Sequence, residues 1–234
     1  MLHQTPGGSA FGFSRVGGAA ALGFALSIVL ANVLMVPAGL PPTGAGIDAV
    51  DAFFGSRSDV VGIASALTPA AWLLATLFGA GAVAALRRSE HERGEAWSLV
   101  GLAGLLLQNA TFAAVVATRL ALTWTATHDG AATGGLWALH DALFTLNGTF
   151  LALALIGLSV AGRRAGLIRA WHGGVGLVAA TLLFVSATLT PLVIAHSGPL
   201  GLLGLAGWLL WVLWIIAYGV TLIRGRPTST RATH

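Results

Sequence analysis

The chain has 234 residues, of which 56% are apolar and 9% are charged, and its mean hydropathy is +0.85. This composition excludes an ordinary water-soluble domain, because too few polar residues remain to cover a folded surface. The formal net charge is +4, and all twelve basic residues are Arg. The chain has no Cys, which excludes disulfides, thiolate metal sites and cysteine nucleophiles.

Six mainly apolar stretches, each long enough to cross the ~30 Å hydrocarbon layer, occupy most of the chain. They cover residues 16–36, 66–86, 97–120, 136–160, 173–195 and 200–223. Together they contain one Arg and one Asp and no other formal charge. The sequence therefore predicts an all-α, polytopic membrane bundle of six transmembrane helices over residues 16–223, between an N-terminal tail, 1–15, and a C-terminal tail, 224–234.

The arginines lie unevenly on the two sides of this predicted bundle. Ten fall on one side, namely Arg15, Arg87, Arg88, Arg93, Arg163, Arg164, Arg169, Arg224, Arg226 and Arg231. The other side has Arg57 and Arg119. The positive-inside rule then predicts a multi-pass protein of the cell membrane with both termini in the cytoplasm. Because the same rule explains the basic loops, no nucleic-acid partner is expected.

The longest loop, residues 37–65, follows the first helix. Its apolar residues recur at helical spacing opposite two aspartates; they are Ile47, Val50, Phe53 and Phe54. This pattern predicts a short amphipathic helix over 47–54 that lies on the outer membrane surface. The residues from Ser56 to Asp59 match a capping box, which would start the second helix near Val60. Both a simple connector and a gate over an outward cavity fit this loop.

The two formal charges within the spans lie on neighbouring helices. Arg119 is at the outer end of the third helix, and Asp141 is five residues inside the fourth. An antiparallel hairpin brings them to similar depth, and charges in a membrane pair with one another. The sequence therefore predicts an Arg119–Asp141 ion pair.

Amide and hydroxyl side chains continue this polar pattern toward the middle of the membrane. The candidate ligand-binding residues are Arg119, Asp141, His140, Gln108, Asn109, Asn147, Asn32 and Thr190, the last followed by an expected kink at Pro191. As interhelical contacts, these groups satisfy one another where no water reaches. As an outward-facing pocket, they would bind a small polar or anionic ligand through Arg119, with His140 and Asp141 as proton carriers.

Histidines make a haem site conceivable between His140 and His196, both near the outer side. The pattern is weak, because no helix carries two His at the same depth and no second carboxylate within the spans completes a metal set. No resident metal or cofactor is expected.

The sixth span has small residues every three positions, namely Gly198, Gly201, Gly204 and Gly207. Such a stripe lets another helix approach closely, either within the bundle or from a homo-oligomer or membrane partner. Trp208, Trp211 and Trp214 continue the spacing and indicate core packing.

Four segments form a pattern along the chain: the run from Arg15 to Leu22, Asp51–Phe54, Leu86–Arg88, and the hairpin from Gly157–Ser159 to Arg169–Trp171. In these segments the chain resembles uncharacterised six-helix membrane proteins of actinobacteria. The resemblance implies the same six-helix fold and carries no activity or site residue.

Three function classes stay open. The first is a non-enzymatic accessory or scaffold bundle, which needs only packing. The second is a small-molecule binding or transport protein that uses the polar residues between the third and fourth helices. The third is a membrane enzyme with Asp141 and His140 as acid and base, but the sequence offers no positioned nucleophile or metal, so no catalytic residue is assigned.

Overall fold

The computed structural model describes residues 10–195 and 199–225, and nine α-helices build this part of the chain. In chain order they are α1 (Ala10–Met35), α2 (Ile47–Ser56), α3 (Ser58–Ala66), α4 (Thr68–His91), α5 (Trp97–His128), α6 (Gly130–Arg164), α7 (Ala170–Thr188), α8 (Thr190–Ala195) and α9 (Gly201–Arg224). Six helical segments of the described chain are long and apolar enough to cross a membrane: Gly12–Met35, Ser58–His91, Trp97–His128, Gly130–Arg164, Ala170–Thr188 and Gly201–Arg224. The predicted all-α fold with six membrane-spanning helices is confirmed.

The six long helices form a closed ring in which neighbours follow chain order. The contacts run from α1 to α4, α5, α6, α7 and α9, and α9 packs against α1 again. The short helices α2, α3 and α8 lie at one end of the ring, which we call the α2 end. The opposite end carries Arg87, Arg163 and Arg169, and we call it the arginine-rich end.

Aromatic side chains fill the centre of the ring. The ring centroid of Phe78 lies 5.7 Å from that of Tyr218 and 6.3 Å from that of Trp214. Phe24 lies 5.5 Å from Trp211 in an edge-to-face arrangement. All five side chains are buried. The prediction that Trp211 and Trp214 pack in the core is therefore confirmed.

Part of the glycine stripe on α9 is used inside the ring. A Cβ on Gly207 would lie 3.1 Å from a backbone nitrogen of α7, and one on Gly204 would lie 2.9 Å from a serine hydroxyl of α7. Gly201 has open space around it, and Gly198 lies outside the described residues. Gly204 and Gly207 are therefore occupied by α7 and are not available to a partner chain.

The hairpin between α5 and α6 is longer than predicted. The predicted spans ended at 120 and began again at 136, but α5 runs to His128 and α6 begins at Gly130. The intervening residues are mainly uncharged Ala, Thr and Gly, which continue the two helices although they are not apolar enough to count as a span. Asp129 makes the turn, and its Oδ1 accepts a hydrogen bond of 3.1 Å from the Ala132 N–H. The first helix likewise begins at Ala10, within the predicted tail.

Two membrane segments are interrupted near the α2 end. α3 gives way to α4 at Leu67, just before Pro69, and α7 gives way to α8 at Leu189, just before Pro191. Proline lacks an N–H and clashes with the preceding turn, so it breaks a helix at this point. The kink predicted at Pro191 is confirmed, whereas the break before Pro69 was not predicted.

The amphipathic helix predicted over 47–54 is α2. Its residues Val50, Phe53 and Phe54 are buried against α5 and α6 at the α2 end of the ring, so this face packs against the bundle and not against lipid. The capping box is not formed, because α3 begins at Ser58 after Arg57 and no side chain caps it.

Carboxylates fasten the loop between α4 and α5 at the arginine-rich end. Glu90 is buried and accepts hydrogen bonds from the hydroxyl and the backbone N–H of Ser98, the latter at 2.7 Å, and so caps the start of α5. Glu95 accepts from Arg93 at 3.2 Å and from Arg164 of α6. Burial raises the pKa of Glu95, but the two arginines outweigh it, so the pKa is lowered overall.

We expect the arginine-rich end to face the cytoplasm, because it carries most of the arginines. Alkaline phosphatase fused after Gly94 or after the C-terminal residue should be inactive, since it folds only outside the cytoplasm. A fusion at Asp129 should be active. The reverse pattern would contradict the orientation while leaving the fold intact.

Candidate functional site

The hairpin of α5 and α6 brings the predicted charged residues together. Glycines allow the two helices to pack closely: Gly104 of α5 lies directly against the α6 backbone at Ala154. From this crossing the helices continue side by side to the turn at Asp129. Arg119 on α5 therefore lies opposite His140 on α6.

Arg119, His140 and Asp141 form a continuous hydrogen-bonded relay, and we use the word relay for these three residues. Nε of Arg119 donates to Nε2 of His140 at 3.0 Å. Nδ1 of His140 lies 3.2 Å from Oδ1 of Asp141. Oδ2 of Asp141 accepts a hydrogen bond of 2.8 Å from the backbone N–H of Gly44. The relay thus links α5, α6 and the segment between α1 and α2.

The predicted direct ion pair is wrong in one respect, because His140 stands between the two charges. Its Nε2 accepts from Arg119, so the ring proton must be on Nδ1, where it is donated to Asp141. This arrangement describes a neutral imidazole between a guanidinium and a carboxylate. The charges compensate each other through the ring, as groups in a low-dielectric setting must.

Aromatic rings enclose the relay. The imidazole of His140 stacks on Trp137 at a centroid distance of 4.7 Å and on Phe144 at 5.9 Å. The guanidinium carbon of Arg119 lies 5.8 Å from the centroid of Phe144 and 6.0 Å from that of Phe112. A cation near an aromatic face gains roughly 0.5–2 kcal/mol. The rings therefore stabilise both the cation and the orientation of the imidazole.

The imidazole and the carboxylate of the relay are sealed inside the chain, whereas the side chain of Arg119 is partly buried. Asp141 is 1% exposed and His140 is 3% exposed. A further nitrogen of Arg119, Nη1, points to the sulfur of Met35 on α1 at 3.8 Å. Gly44 covers the carboxylate from the segment side. The arrangement can hold three parts of the chain together, but the buried carboxylate presents almost no surface to a ligand.

Gly44 meets two requirements that only glycine fulfils. Its φ is +79°, and a Cβ at this position would lie 2.5 Å from the carbonyl oxygen of Ile194 on α8. Side chains strongly disfavour this backbone region. The segment can therefore approach both Asp141 and α8 only with glycine at position 44.

Gly44→Ala is expected to lower the free energy of unfolding by about 1–3 kcal/mol, because it combines backbone strain with a steric clash. Gly39→Ala is the matched control: Gly39 has a φ of +97° but open space around it, so only the strain of about 1–2 kcal/mol applies. Unfolding by SDS titration, followed by tryptophan fluorescence, compares the two. Equal losses would contradict a tight contact at Gly44.

Of the three amides predicted to continue the polar pattern toward the middle of the membrane, Asn109 faces away from the relay. Asn109 turns to α4, where its Nδ2 donates to the carbonyl of Trp72 at 3.2 Å and to Oγ1 of Thr76 at 3.4 Å. Gln108 and Asn147 are buried, and their side-chain oxygens have no hydrogen-bond partner. Asn147 lies about two helical turns from His140 along α6.

Two predicted members have hydrogen-bond partners outside the relay. Asn32 is exposed, and its Nδ2 donates to the carbonyl of Ile28 one turn earlier in α1, at 2.9 Å. The hydroxyl of Thr190 donates to the carbonyl of Ala187 at 2.6 Å and so closes the break between α7 and α8. Both side chains thus bond to the backbone of their own segment.

Of the two histidines that could bind a haem, His140 lies among the residues that the structure describes. His140 has both ring nitrogens engaged in the relay, and His196 lies outside the described residues. In the described ranges, no group of three or more His, Asp or Glu side chains is placed to hold a metal ion.

Comparisons with protein families, with curated proteins and with solved structures gave no significant match. The resemblance to six-helix actinobacterial membrane proteins therefore stays a prediction. The function is therefore inferred from the geometry of the described residues.

Proposed function

We propose that the chain is a non-enzymatic integral membrane subunit, an accessory or scaffold bundle, in which the relay fastens residues 36–57 to α5 and α6. One observation carries the proposal: both carboxylate oxygens of buried Asp141 are engaged within the chain, one with His140 and one with Gly44. A fully satisfied buried polar network makes a structure rigid and specific. A ligand or substrate would need to displace one of these bonds.

A scaffold needs a surface that stays in place, and α2 provides one. Most of its apolar side is buried, whereas Ile47 at the start of the helix and Asp48 on the polar side are exposed. The relay reaches this helix through Gly44, which lies three residues before its start. We infer that the relay fixes the position of α2 for a second membrane protein.

The experiment extracts the chain from its native membranes in polymer-bounded lipid particles and weighs the particles by native mass spectrometry. The proposal predicts a second membrane protein in a fixed ratio. That ratio should fall in Gly44→Ala, which disturbs the segment, and should persist in Gly39→Ala. Particles that contain this chain without a second protein, or a partner that is lost equally in both variants, would overturn the proposal.

The second candidate is small-molecule binding between α5 and α6. It is supported by the unpartnered buried oxygens of Gln108 and Asn147, which are costly in a membrane unless something satisfies them. In the same mass measurement it predicts a small polar molecule that is retained by the wild-type chain. This molecule should be lost in Asn147→Leu, whereas Asn109→Leu, on the α4 side, should retain it.

A further inference from the structure

A pocket of ≈ 390 Å³ lies apart from the relay, at the arginine-rich end between the last turns of α4 and the start of α5. Its charged and polar lining near the helix ends includes Arg87, Glu90, His91 and Glu95. Val83 and Leu99 line it farther along the two helices, toward the middle of the membrane. Charged and apolar groups thus meet in one pocket, as they do where the hydrocarbon layer gives way to the membrane surface.

The two carboxylates of this pocket are already bound within the chain. Glu90 is buried and accepts hydrogen bonds from the backbone N–H and the hydroxyl of Ser98, in the first turn of α5. The partial positive charge at the start of a helix compensates a carboxylate in this position. Glu95 accepts from the guanidinium groups of Arg93 and Arg164, which compensate its charge. The carboxylates therefore do not determine which ligand enters the pocket.

Arg87 is the pocket residue that can bind an anion. Its side chain is exposed, and within the described ranges no hydrogen bond or ion pair engages it. The neighbouring Arg88, by contrast, pairs with Glu92 at 3.3 Å. His91 is exposed one helical turn after Arg87 on the same face of α4, and its ring offers an N–H donor. A guanidinium and an imidazole N–H side by side suit a phosphate group.

The apolar side of the pocket continues along the lipid-facing side of α5. Leu99 is 54% exposed, and Leu106, two turns farther along the same face, is 45% exposed. Leu106 and Thr76 border a mainly apolar groove of ≈ 530 Å³ between α4 and α5. Thr76 lies about 16 Å along α4 from Arg87 at 1.5 Å per residue, which is about half of the ~30 Å hydrocarbon layer. An acyl chain that begins at the pocket can therefore reach this groove within one leaflet.

We propose that the pocket binds an anionic phospholipid of the leaflet at the arginine-rich end. The phosphate lies on Arg87 and His91, and one acyl chain runs over Leu99 toward Leu106. Anionic lipids are concentrated in the cytoplasmic leaflet, and basic pockets between transmembrane helices on that side bind their headgroups. This is the side on which we expect the arginine-rich end to lie. The site does not depend on the scaffold role.

The test places the purified protein in phosphatidylcholine vesicles that contain a small fraction of phosphatidylglycerol with a photoactivatable diazirine in its acyl chain. Peptide mass spectrometry locates the cross-links. We expect labelling concentrated on α4 and α5 near Leu99 and Leu106, and about fivefold weaker with the matching phosphatidylcholine probe, which has no net charge. Unlabelled phosphatidylglycerol should displace the probe, whereas inorganic phosphate, which has no acyl chain, should not.

Two variants make the result specific. Arg87→Gln should lose about fivefold in labelling by the phosphatidylglycerol probe, because it removes one charge near the membrane surface. Arg88→Gln is the matched control, since Arg88 is the next residue of α4 but does not line the pocket, and it should match the wild type. Equal labelling by the two probes, label spread evenly over the lipid-facing helices, displacement by inorganic phosphate, or equal labelling of the two variants would overturn the proposal.

Discussion

Asp141→Ala is expected to lower the free energy of unfolding by about 3–5 kcal/mol, the cost of removing one partner from a buried charge network. The substitution leaves three groups without their partners. The guanidinium of Arg119 loses its compensating charge, Nδ1 of His140 loses its acceptor, and the N–H of Gly44 loses its bond to the bundle. Because Asp141 is 1% exposed, water cannot replace the carboxylate.

Asp129→Ala provides the matched control on the same helix. Asp129 is exposed and caps α6, so its removal should cost about 1 kcal/mol, as for other N-caps. SDS titration in one detergent, read by tryptophan fluorescence, measures both variants. Losses of the same size would mean that the buried carboxylate contributes no more than a helix cap.

Arg119 and Asp141 are expected to be coupled although they do not touch. Arg119→Leu leaves a buried carboxylate uncompensated, Asp141→Leu leaves a partly buried guanidinium uncompensated, and the double variant removes both charges. The double variant should therefore lose less stability than the sum of the single losses, by about 0.5–3 kcal/mol. The same denaturation experiment measures the wild type, the two single variants and the double variant, which together give the coupling energy.

A second cycle tests whether the coupling between Arg119 and Asp141 depends on the imidazole of His140. His140→Phe keeps a flat ring between Trp137 and Phe144 but removes both ring nitrogens. If the relay carries the coupling, repeating the cycle in the His140→Phe background should reduce it to well below the original value. An unchanged coupling would mean that the charges interact through space without the imidazole.

The architecture of the membrane segments could be predicted from the sequence, because lipid exposure requires long uncharged runs. The end points could not. The hydropathy of residues 121–135 is too low for a span, yet α5 and α6 continue through nearly all of them as helix. Helix length outside the hydrocarbon layer depends on helix propensity and on the cap at Asp129, which hydropathy does not record.

The residues of the relay could be predicted from the sequence, but their hydrogen-bond partners could not. Helical spacing placed Arg119 and Asp141 at similar depth, whereas the insertion of His140 depends on the rotation of α6, which spacing leaves open. The same limit explains Asn109, which faces α4 instead of the relay. Gly44 carried a weak signal, a glycine within a Pro- and Gly-rich loop, but its contact with Asp141 crosses 97 positions of sequence and depends on tertiary packing.

The central claim is that the relay holds the segment before α2 in a single position. The chain has no Cys, so cysteines introduced at Asp48 on α2 and Ala131 on α6 can be spin-labelled uniquely. The distance distribution between the labels, measured by pulsed electron paramagnetic resonance in lipid vesicles, should be narrow in the wild-type background. It should broaden in Asp141→Asn, because an amide offers one acceptor oxygen to two donors. A broad wild-type distribution, or one that stays narrow in Asp141→Asn, would contradict the claim.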